Sequence, residues 1–346
     1  MSLPDDIAES LPSPQDKLLA DMARSRERVE RKQEKAAYEA ALCRIVALEE
    51  QVALLTALNE RKVQKPLKPS KRTRGDATAV LVLSDWHVEE RVDPKTVNGL
   101  NEFNLDIAEK WANRVFEKCL LLLEDARGLA QVNELYVALL GDFISGFIHE
   151  ELVEGNQLAP LPATMFAADL IERGLRTLLA HARVDRIIVP TCHGNHGRTT
   201  PKMRIATSAA NSFERNMYAH LARRFQHEPR IDWRIGDGYH NIQTIQGRDF
   251  RFHHGENIKY NGGVGGITIP MNKAVAQWNK SRRAYYDIAG HLHAWTNNWN
   301  WHINGSLIGY GAFSVAIKGD YQPPVQTFIV VDKDRGVTRT LPVFCD

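Results

Sequence analysis

Five short windows of the sequence carry residue types that could bind metal. They are Asp85-Trp86-His87, Gly141-Asp142, Cys192-His193-Gly194-Asn195-His196, His253-His254-Gly255 and Gly290-His291-Leu292-His293. Seven of the thirteen histidines fall in four of these windows. Taken singly, each has an ordinary explanation: Asp-x-His can be a turn, and one histidine is more often a satisfied polar side chain than a ligand. Together they offer carboxylate oxygen, amide oxygen and imidazole nitrogen without thiolate, a set suited to Mn²⁺, Fe²⁺ or Zn²⁺. Six or seven donors exceed the needs of one catalytic ion, which keeps an open position. They match two ions sharing a bridging carboxylate. Two ions about 3.5–4 Å apart clamp the attacking and leaving oxygens of a phosphoryl displacement and make hydroxide available near neutral pH. The residues point to phosphate-ester hydrolysis.

Such windows must be brought together by regular elements. Four of the five follow a strand-like run: Thr78–Ser84 before Asp85, Leu135–Leu140 before Asp142, Arg186–Pro190 before Cys192, and the Phe-Arg-Phe before His253. Between them, Ile107, Trp111, Val115, Cys119 and Leu122 predict one amphipathic helix, and Ala167, Ile171, Leu175 and Leu178 a second. Strand, helix, strand, helix, strand implies an α/β fold whose sheet has parallel members covered by helices. Functional loops gather at the strand ends of such a sheet. Beyond about residue 230 the pattern becomes β-rich, with Gly-rich turns around Gly262–Gly266.

The first part of the chain differs. From Gln15 to Arg61 there is no Gly or Pro, and Tyr38, Ala41, Ile45, Leu48, Val52 and Leu55 follow the 3,4 spacing of a coiled-coil seam. Residues 1–60 are expected to be a helical coiled-coil extension that makes the protein a homo-oligomer, against the plainer reading of a solvated helix. Residues 61–75 form a basic linker with seven Lys/Arg and no acid, a candidate contact for nucleic acid. Residues 76–346 carry all five windows. The whole chain of 346 residues is balanced, with 44 Lys/Arg, 42 Asp/Glu and a net charge of +2. That balance excludes a histone-like basic coat and an acidic disordered chain. The absence of a long apolar run argues against a membrane span, and the acidic start argues against a secretory leader, so a cytoplasmic protein is expected. The four cysteines are scattered, with no CxxC pair, which indicates neither a zinc ribbon nor a disulfide framework.

The ordered blocks DxH, GD, GNH, HG and GHxH resemble the signature of calcineurin-like metallophosphoesterases. Here they read Asp85-x-His87, Gly141-Asp142, Gly194-Asn195-His196, His254-Gly255 and Gly290-His291-x-His293. A looser resemblance extends to phage-encoded phosphoesterases and to DNA-break-repair nucleases of the same superfamily. The resemblance implies an α/β (α+β) β-sandwich flanked by helices. It further implies one ion held by Asp85, His87, Asp142 and His293, and a second by Asp142, Asn195, His254 and His291, Asp142 bridging. Two divalent ions are implied, Mn²⁺ first, with Fe²⁺ or Zn²⁺ as alternatives. The nucleophile would be a metal-bound hydroxide, and His196 would stand beside the scissile phosphate as acid or charge stabiliser.

Three departures from the family pattern bear on this. The acid that many relatives carry after the GNH block is Gly197 here, so Glu150 or Glu151, or else backbone, would orient His196, while Arg198 becomes a candidate for holding a phosphate oxygen. Trp86, inside the DxH block, is either a cleft wall or a buried packing residue. His253 and His254 are adjacent and point to opposite faces if extended; His254 precedes the glycine, as in the family, and is taken as the ligand. The expected activity is that of a phosphodiesterase or nuclease acting on DNA, the alternative being a phosphomonoesterase. Besides the linker, its support is a cationic stretch, Lys273, Lys280, Arg282 and Arg283, interleaved with Tyr260, Trp278, Tyr285 and Tyr286, which could stack on bases. An ordinary amphipathic helix and strand would look the same.

Overall fold

In the computed structural model the described residues are 13–59, 75–148, 150–259, 265–316 and 318–346. The expected basic linker lies outside them except for Gly75, as do Tyr260 and most of the Gly-rich turn. By its contacts the chain divides into two units, Met1–Lys71 and Arg72–Asp346.

The first unit contributes one helix, α1 (Pro14–Asn59), 46 residues long and so roughly 69 Å from end to end at the α-helical rise. Its start is a capping box. The Ser13 hydroxyl accepts from the Asp16 N–H, and the Asp16 carboxylate accepts from the Ser13 N–H, both at 3.2 Å. Pro14 occupies the first helical position, where its missing N–H costs nothing.

The second unit begins with β1 (Gly75–Leu83), α2 (Leu105–Arg127), β2 (Ala130–Leu139), α3 (Glu150–Gly155), α4 (Pro160–His181), β3 (Arg186–Thr191), α5 (Phe213–Arg224) and β4 (Ile231–Ile235). It continues with β5 (Asn241–Ile245), β6 (Arg248–His253), α6 (Thr268–Trp278), β7 (Tyr286–Ala289), β8 (Thr296–Asn297), β9 (Trp301–Ile303), α7 (Ala312–Ala316), β10 (Val325–Asp332) and β11 (Gly336–Phe344). One sheet runs β11-β10-β1-β2-β3-β4 and the other β5-β6-β7-β9-β8. Strands β1 to β4 are parallel, as are β6, β7 and β9, and antiparallel strands close every edge except the one at β4.

Alternation along β1 explains the layering, because successive side chains leave opposite faces. Val80 and Val82 point to the second sheet and pack with Phe250, Phe252, Tyr286 and Ile288. Ala79, Leu81 and Leu83 point the other way, into a core with α2, α4 and α5. On the far face of the second sheet, Trp301 and Ile303 pack against Met271 and Val275 of α6. The result is two sheets face to face with helices outside both, the architecture that the resemblance implies. The two expected helices form, with Leu123 rather than Leu122 completing the buried face of α2. No described helix is long and apolar enough to cross a membrane.

Candidate metal centre

All five windows sit where a parallel strand ends. Asp85 and His87 follow β1, Asp142 follows β2, Asn195 and His196 follow β3, His254 follows β6, and His291 and His293 follow β7. Parallel strands present their carboxyl ends at one edge, so loops far apart in sequence meet there. The strand before the fifth window, β7, has only four residues, too few to stand out as a periodic run.

The loops are bent sharply. Nine non-glycine residues have positive φ among the described residues, and five of them are site residues: Asp85 (56°), His87 (46°), Asp142 (53°), His291 (69°) and His293 (52°). Side chains with a Cβ avoid this region, and strained backbone of this kind clusters where a site demands it. Close approach adds a second demand. A Cβ on Gly194 would run into the carboxylate and backbone of Asp142, so the GD and GNH loops can touch only because that residue is glycine.

Two groups of donors result. In the first, Asp85, His87 and His293 converge. His293 Nε2 lies 3.3 Å from Asp85 Oδ1 and 3.2 Å from His87 Nε2. In the second, Asp142, His254 and His291 converge. His254 Nε2 lies 2.8 Å from Asp142 Oδ2 and 3.1 Å from Asn195 Oδ1, which brings the amide oxygen into the same group. Asp85 and Asp142 are buried at 0% and 1% exposure. Burial alone would raise both carboxyls. His293 outweighs it at Asp85, and His254 with His196 outweighs it at Asp142, so both are held below the usual carboxylate range, Asp142 well below. His254 is correspondingly held well above the usual imidazole range against its own burial, by Asp142. Burial, with the neighbouring His254, drives His291 down to about 3, and its Nδ1 is buried without a hydrogen-bond partner. Two ionised buried carboxylates, four converging imidazoles, one amide oxygen and an unpartnered ring nitrogen fit a pair of divalent cations.

Partners behind the ligands fix their ring atoms. The His254 Nδ1–H donates to the Leu140 carbonyl at 2.7 Å, leaving Nε2 to face the site. Ser145 Oγ donates to Glu90 Oε2 at 3.1 Å, so it accepts at 2.9 Å from the His87 Nδ1–H, and His87 also presents Nε2. Glu89, fully buried, accepts from the Ser145 and Gly146 N–H groups. These acids follow the DxH window directly, a signal the sequence reading did not use. Outer partners of this kind orient metal ligands.

His196 lies beside the second group. Its N–H donates to Asp142 Oδ1 at 2.8 Å, its Nδ1–H faces the Ser145 carbonyl at 3.2 Å, and its Nε2 lies 4.0 Å from Asp142 Oδ2. Backbone thus takes the orienting position proposed for Glu150, which is exposed. The space beside Gly197 is filled by Glu214 of α5: a Cβ at 197 would lie 2.7 Å from Glu214 Cγ. The fully buried Glu214 carboxylate, pushed up to about 7 by burial, accepts from the Phe143 and Gly194 N–H groups and ties the GD and GNH loops together. Nothing in its sequence position, in the first turn of an ordinary helix, marks it.

The remaining candidates divide between those the fold turns away from the site and those it buries as packing residues. Arg198 turns three of its five N–H donors to the carbonyls of Asn195, Thr200 and Pro201, so it clasps its own loop. Trp86 is buried against Phe143 and Phe116, its Nε1–H donating to Gln326, and forms no cleft wall. Tyr286, proposed to stack on bases, is 1% exposed and packs between the sheets. Trp278 packs on His240 and His253. His253 faces that cluster, 3.7 Å from Asp287, on the side away from His254. Cys192 is a buried packing residue.

No protein-family model matches the chain, and no curated protein matches it. Among solved structures it is similar to the hypothetical protein PH1004 from Pyrococcus horikoshii OT3, at 12% identity and TM-score 0.38, over 78% of this chain and 89% of that one. It is similar to Chaetomium thermophilum Vps29 at 10% identity and TM-score 0.33, over 78% and 100%. PhoD follows at 10% identity and TM-score 0.36, over 79% and 70%. At these values the site has to be read from its own residues.

Proposed function

We propose that the chain is a dinuclear metal-dependent phosphoesterase of the calcineurin-like type, acting as a phosphodiesterase on DNA. One observation carries the reading: two donor groups, Asp85/His87/His293 and Asp142/His254/His291, at neighbouring strand ends with His196 beside them. As the resemblance implies, Asp142 would be the residue that both ions share. Two divalent ions held by these residues, Mn²⁺ in the first instance, would supply Lewis acidity and make hydroxide available near neutral pH. The chain's own residues do the rest. Asp85 and Asp142 stay ionised. With the ions bound, His87 and His254, their Nδ1–H groups held by Ser145 and Leu140, would each turn an Nε2 lone pair to the site, His254 giving up the proton that Asp142 favours in the metal-free protein. His196, with Nδ1–H on the Ser145 carbonyl, leaves Nε2 as the atom that would pass a proton to the leaving oxygen, burial lowering the imidazole's pKa and Asp142 offsetting part of that.

DNA is proposed on the seven Lys/Arg of residues 61–74. A phosphomonoesterase is the second reading. It is favoured by the burial of Tyr286, which removes one of the stacking contacts expected for nucleic acid. The deciding assay offers the Mn²⁺-loaded protein a phosphate monoester, a phosphate diester, and single- and double-stranded DNA. Cleavage of the diester and of DNA is expected; turnover of the monoester alone gives the second reading. Asp142→Ala should lose both turnover and bound metal, and full retention of both would end the dinuclear assignment.

A further inference from the structure

The metal centre makes no use of α1, and the role of that helix is independent of the chemistry proposed there. Every described side chain of α1 is exposed, including Ile45 (51%), Leu48 (47%), Val52 (61%) and Leu55 (61%). A helix draws most of its stability from covering its apolar face. We infer that a second copy of this chain covers it, the two helices forming a parallel, in-register, two-stranded coiled coil over Tyr38–Leu55.

The seam itself favours this partner. With Tyr38, Ile45 and Val52 at the a positions, Ala41, Leu48 and Leu55 fall at d. β-Branched residues at a with leucine at d favour two parallel strands. The flanks set the direction. Arg44 falls at g and Glu49 at e, five residues apart, which is the offset at which g of one helix meets e of its neighbour in a parallel pair. Two-fold symmetry makes that ion pair twice. Neither residue has an opposite charge three or four positions away in its own helix: Arg44 is surrounded there by Ala40, Ala41, Ala47 and Leu48, and Glu49 by Ile45, Val46, Val52 and Ala53. An antiparallel pair in which a meets d would set Arg44 against Gln51 and Glu49 against Leu42, leaving both charges unmatched.

The same register shows where pairing stops. Continued upstream, it places Arg24 and Arg31 at a, where each would meet its own copy, and Glu27 and Glu34 at d. Charges in this stretch are instead paired along one helix. Arg24 pairs with Asp21 at 3.1 Å, Arg31 with Glu27 at 2.6 Å and Lys35 with Glu39 at 3.9 Å. The helices therefore part before Tyr38. A dimer carries two copies of the seven Lys/Arg of residues 61–74.

Sedimentation equilibrium on the full chain tests the pairing. The wild type should have the mass of two chains and the variant Leu48→Glu/Leu55→Glu that of one. Both positions are exposed in a single chain, so the rest of the fold should keep its thermal transition. Orientation is tested by oxidation in a Cys43→Ser background. Leu48→Cys alone should give a covalent dimer, because d meets d in register, whereas Arg31→Cys should not. Arg44→Glu should weaken the dimer, and Arg44→Glu/Glu49→Arg should restore it. A monomeric or trimeric wild type, or a dimer unmoved by the double glutamate, overturns the inference. So does cross-linking of Leu48→Cys only with Ile45→Cys, or a charge swap that fails to restore pairing.

Discussion

At the residue scale the adjacent histidines make the sharpest test, because one peptide bond separates a ring in the donor group from a ring packed on Tyr239, His240 and Trp278. His254→Ala should abolish turnover and lower metal content. His253→Ala should lower thermal stability and leave the activity of the folded fraction largely intact. Equal losses from the two would mean that both rings serve the site. His196 makes a different claim. It touches no proposed ion, so His196→Ala should lower kcat by about 10²–10⁴ with metal content near normal. That loss should shrink for a nitrophenolate leaving group, which departs without a proton. Ser145 lies one step further out. Removing its hydroxyl frees the His87 ring to rotate and to change tautomer, and Ser145→Ala should weaken Mn²⁺ binding by about 10–100-fold. Calorimetric titration of the metal-free protein reads this directly, and unchanged binding would reduce the Glu90–Ser145–His87 chain to a packing detail.

At the scale of elements, the site depends on loops that β1, β2, β3, β6 and β7 merely deliver. Helix α5 joins two of these loops, because Glu214 accepts from Phe143 and Gly194 and lies against Gly197. Glu214→Ala would leave two backbone N–H groups buried without an acceptor, at about 1–3 kcal/mol each. Thermal unfolding should therefore move to clearly lower temperature, with Glu214→Gln intermediate, since it keeps one acceptor. Should Glu214→Ala melt with the wild type, the two loops are held by something else.

For the whole molecule, the question is how a balanced chain would hold a polyanion. Its net charge of +2 supplies no general attraction, so affinity for DNA must come from local concentrations of charge. Each phosphate contact by Lys or Arg adds about 0.7–0.9 to the salt slope of binding. Replacing the seven Lys/Arg of residues 61–74 by Gln or Ser should weaken DNA binding most at low salt and flatten its salt dependence. Hydrolysis of a small chromogenic diester should be untouched. A wild type that fails to bind DNA at low salt would remove the nuclease reading and leave the phosphomonoesterase.

Much of this protein is local information, and local information is legible in a sequence. Apolar runs predicted β1, β2 and β3, four-residue spacing predicted α2 and α4, and the resemblance, not the spacing, implied how the Asp, Asn and His residues group. Windows far apart in sequence can share a site because parallel strands end at one edge. Long-range geometry decided the remainder. Four-residue β7 gains its identity only from pairing with β6 and β9. Trp86 and Tyr286 are equally aromatic whether they line a cleft or a core, and only the facing sheet and helices determine which. Arg198 has the same chemistry toward a phosphate as toward the carbonyls that its loop happens to present. Glu214, Ser145 and Glu90 act through partners remote in the chain, and no spacing rule encodes a contact between a helix turn and two loops more than fifteen residues away. Donor identity is a property of the residue. What each donor faces is a property of the fold.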